Sequence, residues 1–126
     1  MKTEKIYTQH SENQAWANNV AFYRDEIKIM EGRLKEIASR NTSDEVLKQV
    51  EHFQNQFIIQ KTRLDELKHD INLSNDFLEK EIAKNPVAVE RRKVEDHAPA
   101  REEMQAFEKL YAPLKSEFNI FLSKWM

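Results

Sequence analysis

Few residues in this chain are arranged for chemistry. Glu66-Leu67-Lys68-His69 sets a carboxylate and an imidazole three residues apart, the ExxH spacing that shares one helix face. Carboxylate-bridged di-metal bundles need two such motifs and two further inward glutamates. This chain has one ExxH. On the heptad described below, both residues fall outside the apolar seam, near the solvent face. Glu66 and His69 are therefore only weak metal candidates, and no metal or cofactor is expected. His10 precedes the first helix, and His52 sits beside the seam residue Phe53. His97 extrapolates to a seam position at the start of the third helix, where it packs or caps. No HxxxH or HExxH pair is present, so the zinc hydrolases lack their ligands here.

Nucleophilic catalysis finds no support. The chain has no cysteine, which excludes disulfides, thiol nucleophiles and Cys-type zinc sites. Ser11, Ser39, Ser43, Ser74, Ser116 and Ser123 fall at caps or on helices, with no glycine beside any of them. A nucleophile elbow needs such glycines. The single glycine also excludes a Walker A loop and a GxGxxG fingerprint. Pairs such as Glu31 with Lys35 and Lys61 with Asp65 read as surface i,i+4 pairs, worth ~0.3–0.5 kcal/mol each. No catalytic residue is assigned.

One basic run, Arg91-Arg92-Lys93 with Arg101 nearby, could grip a phosphate, an acidic partner or RNA. Glu90, Glu95, Asp96, Glu102 and Glu103 surround it and balance it. Across the chain 20 basic residues face 22 acidic ones, for a net charge of −2. That balance lacks the uncompensated patch that strong nucleic-acid binding requires.

The elements that must carry these residues are helical. One glycine argues against an all-β fold, and 40% hydrophobic with 33% charged residues suits amphipathic helices. A first helix is expected over 11–39, opened by a Ser11–Gln14 capping box and closed near Asn41 by a left-handed residue. Its seam is Trp16, Val20, Tyr23, Ile27, Met30, Leu34 and Ile37, an unbroken alternation of four and three. A second helix is expected over 43–84, capped by Thr42 with Glu45 and stopped by Pro86. Its seam is Val46, Val50, Phe53, Phe57, Gln60, Leu64, Leu67, Ile71, Ser74 and Leu78. Poor helix formers at 72–76 predict a kink or a frayed turn there. A third helix over 99–125 follows a cap at Asp96 or Ala98, with Pro99 in its first turn. Its seam is Ala100, Met104, Phe107, Tyr111, Leu114, Phe118, Phe121 and Trp125. Pro113 lies inside it and predicts a kink.

Residues 1–10 are expected to form a flexible segment, and 11–126 a single all-α domain. The predicted fold is an antiparallel three-helix bundle with long coiled-coil-like helices. Matched seams pair the first two helices from Ile37–Val46 to Trp16–Leu67, leaving Tyr23 opposite Gln60, where the hydroxyl is expected to satisfy the amide. Two registers remain for the third helix. One sets Met104 beside Leu78; the other, one heptad along, sets it beside Ile71.

A second apolar stripe lies off the seams. It comprises Phe22 and Ile29, then Ile58, Ile59, Leu73 and Phe77, then Leu110, Ile120 and Leu122. Bundle packing is expected to cover Phe77, Leu110 and Leu122. Phe22, Ile29, Ile59 and Ile120 lie further round and are the interface candidates. The N-terminus lacks the apolar core of a secretory signal, and no run reaches the ~18 apolar residues of a membrane helix. A cytoplasmic, non-enzymatic interaction or scaffold protein is expected, binding a protein partner or a second copy of itself. The alternatives are a metal- or small-ligand-binding bundle with a redox or storage role, and a ribosome- or RNA-associated factor.

Overall fold

The computed structural model describes residues 3–84 and 93–126. Three long helices, α1 (Ile6–Arg40), α2 (Asp44–Lys84) and α3 (Ala98–Trp125), form an all-α bundle. Two short strands, β1 (Thr3–Lys5) and β2 (Lys93–Glu95), pair at one end of it. The seam residues explain the helices. Val20, Ile27, Leu34 and Ile37 of α1, Val46, Phe57 and Leu64 of α2, and Phe107 and Phe118 of α3 are all essentially excluded from water. A stripe of that width holds a helix by tertiary burial, beyond what its intrinsic propensity supplies.

Local chemistry sets the helix ends. At the α1–α2 turn, the Val46 amide donates to Ser43 Oγ at 3.3 Å, so Ser43 is the cap rather than Thr42. Asn41 closes α1 in an extended conformation (φ −126°), not a left-handed one. Its side-chain amide donates to the Ile37 carbonyl at 2.8 Å and satisfies a free acceptor without a backbone reversal. α2 stays helical through 72–76, where a kink or fray was expected. α3 starts at Ala98 with Pro99 in its first turn and continues across Pro113.

Polar contacts fix the packing order. From Glu12 with Arg101 to Glu26 with Lys115, the residues bonded between α1 and α3 stay 85 to 89 positions apart, so these helices run parallel. Between α1 and α2 the separation falls from 61 at Asn13–Ser74 to 41 at Arg24–Asp65, which marks an antiparallel pair. For α3 on α2 the rings decide the register. Phe118 lies 5.3 Å from Phe53 and 5.2 Å from Phe57 between ring centroids, in edge-on contacts. Met104 accordingly lies by Leu67 and Ile71, and the helices end nearly flush. Val46 and Val50 at the turn are buried.

The largest departure from the sequence expectation is at the N-terminus. Residues 3–10, expected to be flexible, form β1 and the first turn of α1, and Ser11 lies inside the helix. The seam runs back through Ile6, Gln9 and Asn13, all buried, with the same three-four spacing. β1 pairs antiparallel with β2, Glu4 opposite Val94. Val94 then joins Ile6 and Leu78, with Ile82 against them, in a small apolar cluster separate from the main core. This clasp covers the end of the bundle that α3 does not reach.

Candidate functional site

Between the two apolar clusters lies a polar layer built from β1, α1, α2 and the start of α3. Asn13, 1% exposed, donates to Ser74 Oγ at 2.8 Å and to Asn75 Oδ1 at 3.1 Å. Ser74, a polar break in the α2 seam, therefore has a matching break in α1. Gln9, also buried, donates to Glu4 Oε1 at 2.8 Å and to the Glu95 carbonyl at 2.9 Å. It thereby holds Glu4 against the ribbon.

Glu4 belongs to a charged cluster around His97. The His97 side chain is 13% exposed and that of Glu4 14%. His97 Nε2 contacts Glu12 Oε1 directly and stands 3.6 Å from Glu4 Oε1. Trp16 lies over the imidazole, ring centroids 4.7 Å apart, and fixes its plane. Arg101 grips Glu12 through two hydrogen bonds, from Nε at 3.1 Å and Nη2 at 2.8 Å, and also donates to Asp96 at 3.2 Å. His97 Nδ1 is buried with no partner among the described residues. Nε2 is thus the ring nitrogen that meets the carboxylates. Burial pushes the Glu12 carboxyl up, but hydrogen bonds from Arg101 and His97 outweigh it and hold it below its usual range. The Arg101 hydrogen bond lowers Asp96 in the same way, and Glu12 in turn raises the guanidinium.

A second polar belt joins α1 to α3. The Tyr23 hydroxyl donates to Glu108 Oε2 at 2.8 Å, not to Gln60 as expected from the matched seams. Tyr23 turns toward α3, where its ring meets those of Phe107 and Tyr111. Gln60 Oε1 is left buried without a partner among the described residues. Glu26 accepts from Tyr111 and from Lys115 Nζ, the latter at 2.8 Å. Burial and the facing Glu108 push the Tyr23 hydroxyl up to about 12, and burial with Glu26 raises Tyr111 further. Burial raises Glu26, but Lys115 and Tyr111 outweigh it and hold that carboxyl low.

The interface candidates are all exposed: Phe22 59%, Ile29 65%, Ile59 50% and Ile120 70%. They do not share one face. Phe22 and Ile29 lie seven apart on α1, beside Tyr23 and hence toward α3. Ile59 and Leu73 each lie seven from Glu66, which lines the α2–α3 groove with Asp70 and Glu103. Phe77 lies seven from Asp70 and Leu110 seven from Glu103, and Ile120 continues that side of α3. Phe77 and Leu110 were expected to be covered but are exposed, since three helices bury only the seam stripe there; Leu122 is half-buried.

The remaining sequence candidates separate. Lys93 is exposed on β2, Arg101 is committed to Glu12 and Asp96, and Arg91 and Arg92 lie outside the described residues. Glu66 and His69 line the α2–α3 groove with Arg63. Among the described residues, the group with metal-ligand spacing is instead Glu4, Glu12 and His97. Sequence reasoning missed the two glutamates. Continuing the α1 heptad from Trp16 back to Ile6 would have moved the helix start, but nothing local pairs residue 4 with residue 94. Ser39 and Ser123 bond carbonyls of their own helices, and Ser43 caps α2. No described helix is long and apolar enough to cross a membrane. Comparison with protein-family models, curated proteins and solved structures found no match.

Proposed function

We propose that the chain is a non-enzymatic interaction or scaffold protein that pairs with a second copy of itself through apolar helix faces. One observation carries the reading. Ile59, Leu73 and Phe77 of α2 and Leu110 and Ile120 of α3 are large apolar residues left exposed, and Ile59, Leu73, Phe77 and Leu110 each lie one heptad from a charged residue of the α2–α3 groove. The core is complete without them, since Phe53, Phe57, Phe107 and Phe118 already fill it. Large apolar residues gathered along one side of a bundle are the usual mark of an interface, and a two-fold dimer is the commonest closed form. Phe22 and Ile29 offer a second, smaller face on α1.

Light scattering over a range of concentrations tests this. The expected result is a mass of twice the 15.0 kDa of one chain. Ile59→Glu with Ile120→Glu is expected to return it to one chain, and Phe22→Glu with Ile29→Glu to leave it paired. The reverse pattern moves the interface to α1. A wild-type protein at the mass of one chain throughout, or a dimer indifferent to both pairs, overturns the self-pairing.

A further inference from the structure

We propose that Glu4, Glu12 and His97 form a binding site for a divalent transition-metal ion of the zinc type. Pairing between copies does not require this site. The three ligand atoms, two carboxylate oxygens and His97 Nε2, all lie within 4.8 Å of one another. Tetrahedral coordination at about 2.1 Å sets ligand atoms about 3.4 Å apart. His97 Nε2 and Glu4 Oε1 already stand at 3.6 Å, so the ion needs only a small outward shift of Glu12.

Two further observations favour a cation here. The first is charge. Glu4, Glu12 and Asp96, all largely shielded, converge on the single guanidinium of Arg101. Three carboxylates thus face one guanidinium, an acidic surrounding that favours a further cation. The second is support from the surrounding residues. Ligating carboxylates are normally held by hydrogen bonds from behind. The buried Gln9 amide bonds Glu4, Arg101 Nε holds the far oxygen of Glu12, Oε2, at 3.1 Å, and the Trp16 ring orients His97. These partners fix three ligands from β1, α1 and the start of α3. The imidazole favours zinc, cobalt or nickel over magnesium or calcium, which prefer oxygen alone.

Two features limit the affinity. Arg101 competes for Glu12. A metal on Nε2 also leaves the ring proton on Nδ1, which has no acceptor among the described residues. Losing that outer partner typically costs about 10- to 100-fold in affinity.

The test is calorimetric titration of the metal-free protein with zinc sulfate, repeated with magnesium. One equivalent of zinc is expected to bind, and magnesium is not. His97→Gln and Glu12→Gln are each expected to weaken zinc at least tenfold, while Glu66→Gln with His69→Gln leaves it unchanged. The imidazole signals in a nitrogen-correlated NMR spectrum of the wild-type protein give a readout that needs no variant; His97 is expected to shift first. No saturable uptake, binding unchanged in His97→Gln, or binding lost in the Glu66/His69 pair overturns the assignment.

Discussion

Asn13 of α1 and Ser74 of α2 meet at 2.8 Å inside a seam whose other polar positions are Gln9 on α1 and Gln60 on α2. Each is the natural partner of the other. An apolar residue in either place would strand a buried polar group opposite it. The pair also fixes the axial register of α1 on α2, since a one-heptad slip sets Asn13 against Leu67 or Glu81.

Asn13→Ala removes both hydrogen bonds and opens space beside Ser74. The expected loss is about 1–3 kcal/mol in urea denaturation, the cost of a buried polar group left unpaired. A loss below about 0.5 kcal/mol would show that the layer contributes register alone.

Gln60 predicts the opposite sign. Its Oε1 is buried on the α2 seam without a partner among the described residues. Gln60→Met keeps the volume and deletes the orphan acceptor. Stability is expected to be unchanged or to rise by about 1 kcal/mol, read from the urea midpoint. A clear loss would mean that the amide has a partner in solution.

Packing and exposure separate Phe118 from Ile120, two residues apart on α3. Phe118 is fully buried against Phe53 and Phe57, so Phe118→Ala is expected to cost about 3–5 kcal/mol. Ile120 is solvent-facing, and Ile120→Ala is expected to change the stability of the dilute chain by less than about 0.5 kcal/mol. Thermal melts at low concentration distinguish the two.

Stability should also fall at both ends of the pH scale. Glu12, Glu26 and Asp96 hold their protons less tightly when folded than at their ordinary values of 4.5, 4.5 and 3.8. Their contribution is complete above those values and is lost as the pH falls below them. Tyr23 and Tyr111 are raised, Tyr23 from 10.0 to about 12. Their contribution is complete below pH 10.0 and is lost as the pH rises through about 12 for Tyr23. Melting temperatures from pH 2 to 12 test the sign. Absorbance at 295 nm is expected to show Tyr23 still largely un-ionised at pH 10.0.

Much of this architecture is legible in the chain. Heptad spacing alone places Val20 through Ile37, Val46 through Leu78 and Met104 through Phe121 on buried faces, and the three helices follow. What escapes is of two kinds. Side-chain choices among close alternatives, such as Ser43 over Thr42 as the cap, or Glu108 over Gln60 for Tyr23, turn on small displacements that periodicity does not carry. Contacts between distant segments, such as Glu4 with Val94 and Glu12 with Arg101, have no local signature. Their residue types are those of any solvated surface. The candidate cation site belongs wholly to this second kind.

The clasp has a kinetic side. Pairing residue 3 with residue 95 closes a loop that encloses α1, α2 and the segment leading to β2. Loop-closure entropy makes such a contact late to form, after the neighbouring helices have docked. Three residue pairs and one small apolar cluster hold it, so it is also the first part of the fold to open. Amide hydrogen exchange at Glu4 and Val94 is therefore expected to run ahead of exchange at Phe57 and Leu64. A zinc ion on Glu4, Glu12 and His97 would bind only the closed form. The same exchange rates would then fall with metal concentration, so that the last-formed contact of the chain also acts as its gauge of the surrounding cation.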